Sequence, residues 1–390
     1  MTLVSKPLPD LVIGAPLVRA LLHEQHPDVA HLPLVEIGAG WDNQLYRLGD
    51  CLLVRLPRRS IAADLIRHEQ QWLPLLAGRL PLPVPVPLRT GRPGCGYPWP
   101  WSIVPWFEGH TVAGIAVDEM AMAEDLGRFL RALHEPAPAE APGNGYRGVP
   151  LVKRTSSVLE CVKQLGDRID AVRVLEVWDT CVRVSPWSGP PLWIHGDLHP
   201  GNLVVSEGRL IAVVDFGDLT AGDPATDLSI AWAVLPAPAR SVFRAAARNA
   251  VDPIDGDCWA RARGWALALG LVYLAHSADD PQLEATGDRL VHDSLGDDPS
   301  AVQRRPSSPS LRDDLQHHRR DHDRGFITFC HVDVSQDGGQ PMLIEPVQAV
   351  QSTRAHADES GRPLPHRITR PDRENKRADV DDRERAGDQQ

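Results

Sequence analysis

Between residues 193 and 217 the chain reads WIHGDLHPGNLVVSEGRLIAVVDFG. Two short apolar runs, NLVVS and RLIAVVDF, meet at Glu207-Gly208, so the stretch reads as two strands joined by a tight turn. Polar side chains crowd its approaches. His195, Asp197, His199 and Asn202 precede or open the first strand, and Asp215 closes the second.

Two chemistries fit such a cluster. His195, Asp197 and His199 alternate, and imidazoles with a carboxylate can hold zinc, as in a metal-dependent hydrolase. Pro200-Gly201 ends any strand there, however, and no other His/Cys cluster of ligand spacing completes that site. Phosphoryl transfer needs a carboxylate to orient the attacking hydroxyl and accept its proton. It also needs oxygen ligands that hold Mg²⁺ against nucleotide phosphates. Asp197, then Asn202, then an apolar strand ending in Asp215 of DFG supply these groups in the order of protein-kinase catalytic and metal loops.

The flanking sequence divides in two. Val35–Ile37, Leu45–Leu48 and Leu52–Leu56 read as three short strands punctuated by Gly38-Ala39-Gly40 and Gly49-Asp50. A helix with Ile61, Leu65, Trp72, Leu75 and Leu76 on one period follows. LPLPVPVPLRT is an extended connector into an edge strand, because its prolines lack donors. PWSIVPWFEG gives another strand. From MAEDLGRFLRALH onward the pattern turns helical, with Pro/Ala/Gly loop at 136–150 and helix expected over 155–184, Asp223–Leu235, Arg240–Asn249, Asp257–Leu274 and Gln282–Leu295. The whole is an α+β, two-lobe arrangement.

All 11 Trp and all 4 Tyr lie before residue 274, so a sizeable core is expected in the first 295 residues. Residues 296–390 combine low apolar content with dense mixed charge and predict a disordered tail, in which FITFCHVDV and PMLIEPVQAV lack strand partners. A net charge of −11 argues against nucleic acid as a partner. The 6 cysteines contain no C-x-x-C and read as reduced packing residues. No secretory pattern and no long uncharged apolar run are found, so a cytoplasmic protein without membrane spans is expected. Oligomeric state is not readable from these features.

The segment HGDLHPGNLVV…VVDFGDLTAGDPATDLSIAW resembles the aminoglycoside phosphotransferase family of small-molecule kinases, which includes macrolide and choline kinase-like members. The likeness runs from about Leu34 to Leu295. It implies a protein-kinase-like fold: an N-terminal nucleotide-binding lobe (1–106) of antiparallel sheet plus one helix, and a mainly helical catalytic and substrate lobe (107–295) holding the catalytic-loop hairpin. It implies Asp197 as catalytic base, Asn202 and Asp215 as Mg²⁺ ligands, His195 as loop support, and His199 as a shaper of the loop or the substrate pocket. Asp223, which reads as a helix N-cap ahead of Pro224, would also brace the loop. The cofactors implied are ATP or GTP with Mg²⁺. The partner implied is a small hydroxylated acceptor, an antibiotic such as a macrolide or aminoglycoside (and hence antibiotic resistance) or a metabolite. A nucleotide-binding pseudokinase acting by interaction is the alternative.

In the nucleotide lobe, Gly38 and Gly40 let backbone N–H groups approach phosphate oxygens, although a plain hairpin explains them equally. Kinases place a lysine on the third strand, against the nucleotide phosphates. No lysine occurs between Lys6 and Lys153, and Arg55 holds the matching position, charged and able to fork onto two oxygens. Glu69 on the next helix is its expected ion-pair partner. In SIVPWFEG, an interlobe hinge, the Pro105 carbonyl and Phe107 N–H are the expected base contacts. Trp101 and Trp106 read as core or hinge packing. The apolar stripe of CWARARGWALALGLVYL reads as core more readily than as an acceptor wall.

Overall fold

The computed structural model describes residues 8–112, 115–249, 253–278 and 280–296; the expected tail lies outside them apart from Gly296. Helix α1 (Ala15–Gln25) is not among the elements expected from sequence. Pro16 sits in its first turn, where a missing N–H costs nothing, and Val18, Leu21 and Leu22 form a fully buried i, i+3, i+4 stripe. Strands β1 (Leu34–Ala39), β2 (Asn43–Leu48) and β3 (Leu52–Pro57) form successive hairpins, followed by helix α2 (Ala62–Ala77). Strands β4 (Arg89–Gly91) and β5 (Trp101–Pro105) complete an antiparallel sheet of order β1-β2-β3-β5-β4, with the proline-rich connector leading into edge strand β4 as expected.

Strand alternation sorts the sheet's two faces. Tyr46 and Leu48 of β2, with Val54 and Leu56 of β3, pack with α1 and Trp101 in one apolar cluster. The buried Tyr46 hydroxyl donates to the Ile13 carbonyl at 2.8 Å, which ties the segment before α1 to the sheet. The intervening residues Leu45, Leu53 and Arg55 face the opposite way, into a cleft.

Beyond β6 (His110–Thr111), helix α3 (Glu119–Leu133) is N-capped by Asp118, whose carboxylate accepts the Ala121 N–H at 3.0 Å. The expected helical region 155–184 is two helices, α4 (Thr155–Leu165) and α5 (Ala171–Val182). Gly166, at φ 52°, ends the first, and the Asp170 carboxylate caps the second. Strand β7 (Leu192–Ile194) leads into the polar cluster, and β8 (Leu203–Ser206) and β9 (Arg209–Val213) are the expected hairpin. Strand β10 (Thr220–Gly222) returns to pair with β7. The expected helix 223–235 breaks into α6 (Ala225–Leu228) and α7 (Ile230–Val234). The Ser229 hydroxyl, which donates to the Thr226 carbonyl at 2.6 Å, marks the break.

Helices α8 (Ala237–Ala247), α9 (Gly256–His276) and α10 (Pro281–Gly296) complete the lobe. Helix α9 is buried on almost every face, as an axis surrounded by other helices must be. It meets α10 where Gly270 faces Gly287: a Cβ on Gly270 would lie 2.8 Å from the Leu290 Cβ, so only glycine permits this approach. The stripe along α9 is therefore core, with Trp265 fully buried. No helix among the described residues is long and apolar enough to cross a membrane.

Candidate active site

The sheet and the β8–β9 hairpin face each other across a cleft of about 310 Å³. Gly40–Asn43, Leu53, Arg55 and Val104–Phe107 line one side, and Asn202, Val204, Val214 and Asp215 line the other. At the rim the Trp106 N–H donates to the Cys51 carbonyl at 2.8 Å. A trans peptide directs its C=O opposite to its N–H, so the Pro105 carbonyl turns away from β3.

Arg55 crosslinks three elements. Its Nη1 donates to both Glu69 carboxylate oxygens, at 3.0 and 2.9 Å, and its Nη2 donates to Asp215 Oδ1 at 3.0 Å. Burial opposes the charge on Arg55, but Glu69 and Asp215 more than offset it and hold its pKa above the ordinary value. Asp215 has φ 63°, a left-handed conformation that costs a non-glycine residue about 1 kcal/mol. Its carboxylate remains about half exposed in the cleft.

The loop carrying Asp197 is held by its own histidines and by an aspartate behind it. The His195 Nδ1 accepts the Asp197 N–H at 3.2 Å, so its Nε2 carries the proton donated to the Val214 carbonyl at 3.0 Å. The His199 Nδ1 accepts the Gly201 N–H at 3.1 Å, and its Nε2 lies 3.8 Å from Asp197 Oδ2. The Asn202 amide donates to the Asp197 carbonyl at 2.8 Å, and its Oδ1 accepts no hydrogen bond among the described residues. Asp227, fully buried, accepts the His195 N–H at 2.7 Å and the Gly196 N–H at 2.9 Å, and lies 3.2 Å from the His134 Nε2.

Asp223 makes its expected N-cap contact, but no hydrogen bond joins it to the Asp197 loop among the described residues. Its carboxylate takes a two-point contact from Arg261, at 2.7 and 3.3 Å, and accepts the Ala225 N–H at 3.0 Å. It thus anchors α9 and the start of α6, and the direct brace on the Asp197 loop is Asp227, one turn further along. The two aspartates occupy one short motif, and only the backbone path decides which of them reaches the loop.

A strap at Asn144–Gly148 lies against this loop. Arg147 donates to Asp197 Oδ1 at 2.7 Å and approaches Asp218 Oδ2 at 3.5 Å. The Asn144 side chain accepts the Arg147 N–H at 3.1 Å and donates to Asp218 Oδ1 at 2.9 Å. Gly148, at φ 66°, is wedged so tightly that a Cβ would sit 2.8 Å from Ile194 and 2.9 Å from Gly222. Burial pushes the Asp197 carboxyl up, but Arg147 and then the two histidines outweigh it and hold it below the usual carboxylate range. Burial, with Asp197 and Asp215 nearby, pushes the Asp218 carboxyl up to about 6 against the pull of Arg147. On the glycine loop, burial raises the Asp42 carboxyl although Arg59 donates to it at 2.6 Å.

The cleft thus gathers Gly40, Arg55, Pro105, Phe107, Asn202 and Asp215, with Glu69 behind Arg55 and Asp197 beside Asn202. Gly38 is not part of the cleft wall; at φ 134° it forms the bulge in β1. Arg147, Asn144, Asp218 and His134 are not among the expected site residues. Arg147 sits in a Pro/Gly-rich loop without periodicity, and only the strap's packing brings it to Asp197. Among the described residues no group of three or more His, Cys, Asp or Glu is arranged to hold a metal ion.

An antiparallel sheet with one helix across its cleft face, a mainly helical second lobe and this hairpin between them define a protein-kinase-like α+β fold. The model of the phosphotransferase enzyme family, APH, matches residues 33–265, and the chain belongs to that family. It is 31% identical over 114 residues to an aminoglycoside 3'-phosphotransferase of Salmonella typhimurium, and 30% identical over 114 residues to one of Escherichia coli. Each alignment covers 28% of this chain and 42% of the relative, so the match spans less than half the length of these curated proteins. Among solved structures, the GDP and kanamycin complex of APH(2")-IIia superposes with a TM-score of 0.54 at 20% identity, covering 71% of this chain and 97% of that one. The GDP complex of wild-type aminoglycoside 2'-phosphotransferase-IIIa gives 0.51 at 18% identity, covering 73% and 99%. At such identities the likeness establishes the fold.

Proposed function

We propose that this protein is a small-molecule kinase that transfers the γ-phosphoryl group of ATP or GTP to a hydroxyl of its acceptor. The observation that carries the reading is that Arg55, Asn202 and Asp215 line one cleft, with Glu69 behind Arg55 and Asp197 bonded to Asn202, in an order that phosphoryl transfer uses. In this reading residues 1–106 bind the nucleotide and residues 107–295 supply the catalytic loop and the acceptor site. The base lies between the apolar residues of β3 and the hinge, against the Pro105 carbonyl and Phe107 N–H. The phosphates lie beneath Gly40 and beside Arg55, whose second nitrogen reaches into the cleft.

The donor set fits a hard divalent cation. Asn202 Oδ1 and the half-exposed Asp215 carboxylate are oxygen ligands on the same wall, and Mg²⁺ favours oxygen. Bound there, Mg²⁺ would neutralise charge on the transferred phosphate. Asp197 would accept the acceptor's hydroxyl proton as its oxygen bonds to the γ-phosphorus and the bond to the nucleotide diphosphate breaks. With its pKa held low, Asp197 is a carboxylate at neutral pH, which that task requires.

A mass-spectrometric transfer assay tests the reading. The protein is incubated with Mg²⁺ and ATP or GTP against macrolides, aminoglycosides and metabolite alcohols, beside Asp197→Ala. The expected outcome is a product 80 Da heavier (about the mass of one added phosphoryl, HPO₃, by the stoichiometry of the transfer) with the wild type alone. Equal turnover by Asp197→Ala would remove the base assignment. Nucleotide binding without transfer to any acceptor would favour a protein that acts by interaction.

A further inference from the structure

Close to Arg147, which bonds Asp197, lies a cation without a carboxylate partner among the described residues. Arg154 ends a short 3-10 turn, Leu151–Arg154, six residues beyond the Arg147 strap. Leu151 is clamped against Gly264 of α9, where a Cβ would lie 2.4 Å from the Leu151 side chain, so the turn is fixed in place. The Arg154 guanidinium lies 6.0 Å from the ring of Trp265. Its Nε is buried and has no hydrogen-bond partner, and no carboxylate pairs with it among the described residues. Burial, and then the nearby charge of Arg147, push its pKa below the ordinary value; Cys161 and Tyr146 are the other groups acting on it, and neither is a carboxylate.

The contrast with other arginines of this lobe is instructive. Arg261 pairs with Asp223, Arg240 with Asp293, and Arg147 with Asp197 and Asp218. A desolvated charge is expected to be paired, and Arg154 alone in this series is held without an anion. Helix α9 connects it to the reacting centre. Trp265 lies beneath Arg154, and Tyr273, two turns on, packs near His199 and senses the charges of Asp197, Arg147 and Asp218. Eight residues of helix span about 12 Å.

We propose that Arg154 receives an oxyanion of the acceptor, so that the acceptor is a hydroxyl compound that also carries a carboxylate or phosphate. The guanidinium fork matches either group in two-point contact. A polycationic acceptor would meet the carboxylates of Asp197, Asp215 and Asp218 but would be repelled by Arg154. This inference rests on the kinase reading, since Asp197 defines where the reacting hydroxyl lies.

The test uses the full chain, saturated with Mg²⁺ and a non-hydrolysable ATP analogue so that the nucleotide phosphate positions are filled. Isothermal titration at fixed ionic strength compares lactobionate (carboxylate), trehalose 6-phosphate (phosphate), lactose (neutral) and kanamycin (polycationic). The expected result is that at least one anionic sugar binds about tenfold or more tightly than lactose, a gap of about 1.4 kcal/mol. Arg154→Met is expected to erase that advantage and Arg154→Lys to keep part of it; which anion wins separates a carboxylate from a phosphate acceptor. Anionic sugars that bind no tighter than lactose, an advantage unchanged in Arg154→Met, or kanamycin as the tightest ligand would each overturn the proposal. Should Arg154→Met fail to fold by circular dichroism, the decision passes to Arg154→Lys, for which an advantage identical to wild type counts against the subsite. Nucleotide binding is titrated separately. Nucleotide bound with no anion preference removes the subsite and keeps the kinase, whereas an Arg154-dependent preference without nucleotide binding keeps the subsite and removes the kinase.

Discussion

Arg55 shows why arginine and lysine are not exchangeable at this position. One nitrogen of its fork holds Glu69 while the other holds Asp215, and an ammonium is a single point charge that cannot reach both in the same geometry. Removing one partner of a buried pair leaves the other charge stranded, so Arg55→Met is expected to cost about 3–5 kcal/mol in chemical denaturation. Adding Glu69→Leu should restore much of that stability without restoring nucleotide binding. A double variant as unstable as the single one would mean that the pair is not what holds β3 to α2.

Asp218 supplies a pH prediction at the same scale. Its folded-state pKa of about 6 exceeds the ordinary 3.8, so the folded protein binds this proton more tightly than the unfolded chain does. The resulting stabilisation is fully present below about pH 4 and is lost as pH rises through about 6. It amounts to at most about 3 kcal/mol. The stability difference between wild type and Asp218→Asn should therefore drift against the wild type between pH 4 and 7. A flat difference across that window would show that Arg147 keeps Asp218 ionised throughout.

Among elements, the catalytic loop depends on its connection to α6. Asp227 accepts two successive loop N–H groups and meets His134 from the end of α3, so one carboxylate fixes three segments. Asp227→Ala would strand two buried donors, at about 1–3 kcal/mol each. On the proposed reading it is expected to lower kcat more than KM changes, because Asp227 shapes the Asp197 loop and lines no part of the cleft. A loss confined to KM would show that the loop keeps its shape without this brace.

The element scale also explains what could be read from sequence. The β8–β9 hairpin, the three N-terminal strands, α2 and the Arg55–Glu69 pair were legible because period-two and period-3.6 patterns act over a few residues. Helix α1 was not assigned, although it carries a buried stripe, because its start lies among prolines. Region 155–184 read as continuous because Gly166 breaks the helix through a positive φ that apolar periodicity does not register. That Asp227 rather than Asp223 reaches the Asp197 loop, and that Arg147 arrives at Asp197, are tertiary facts. They depend on Gly148 and Gly222 packing backbone to backbone, which no local pattern encodes.

At the scale of the molecule, the buried apolar side chains among the described residues form two clusters, one of the sheet with α1 and one of the helices with the hairpin. Helix α10 closes the second, with Leu290 and Val291 against α9 and the Ser294 carbonyl accepting from Arg263 at 2.7 Å. A chain ending after Gly296 retains all these contacts. Its melting temperature by differential scanning calorimetry is expected to stay within about 2 °C of the full chain. A drop several times larger would place part of residues 297–390 against this lobe.

The distribution of tryptophan has an optical consequence. Trp101, Trp178, Trp232 and Trp265 are sealed in the two cores, whereas Trp41 and Trp106 border the cleft. Sealed indoles emit at shorter wavelength than indoles in contact with water, so these two groups of chromophores differ in colour. A base stacked in the cleft would quench the red edge of the emission and leave the blue edge constant, while unfolding would shift the blue edge toward the red. Occupancy and integrity of the molecule can then be followed in one cuvette, without a label, at two wavelengths.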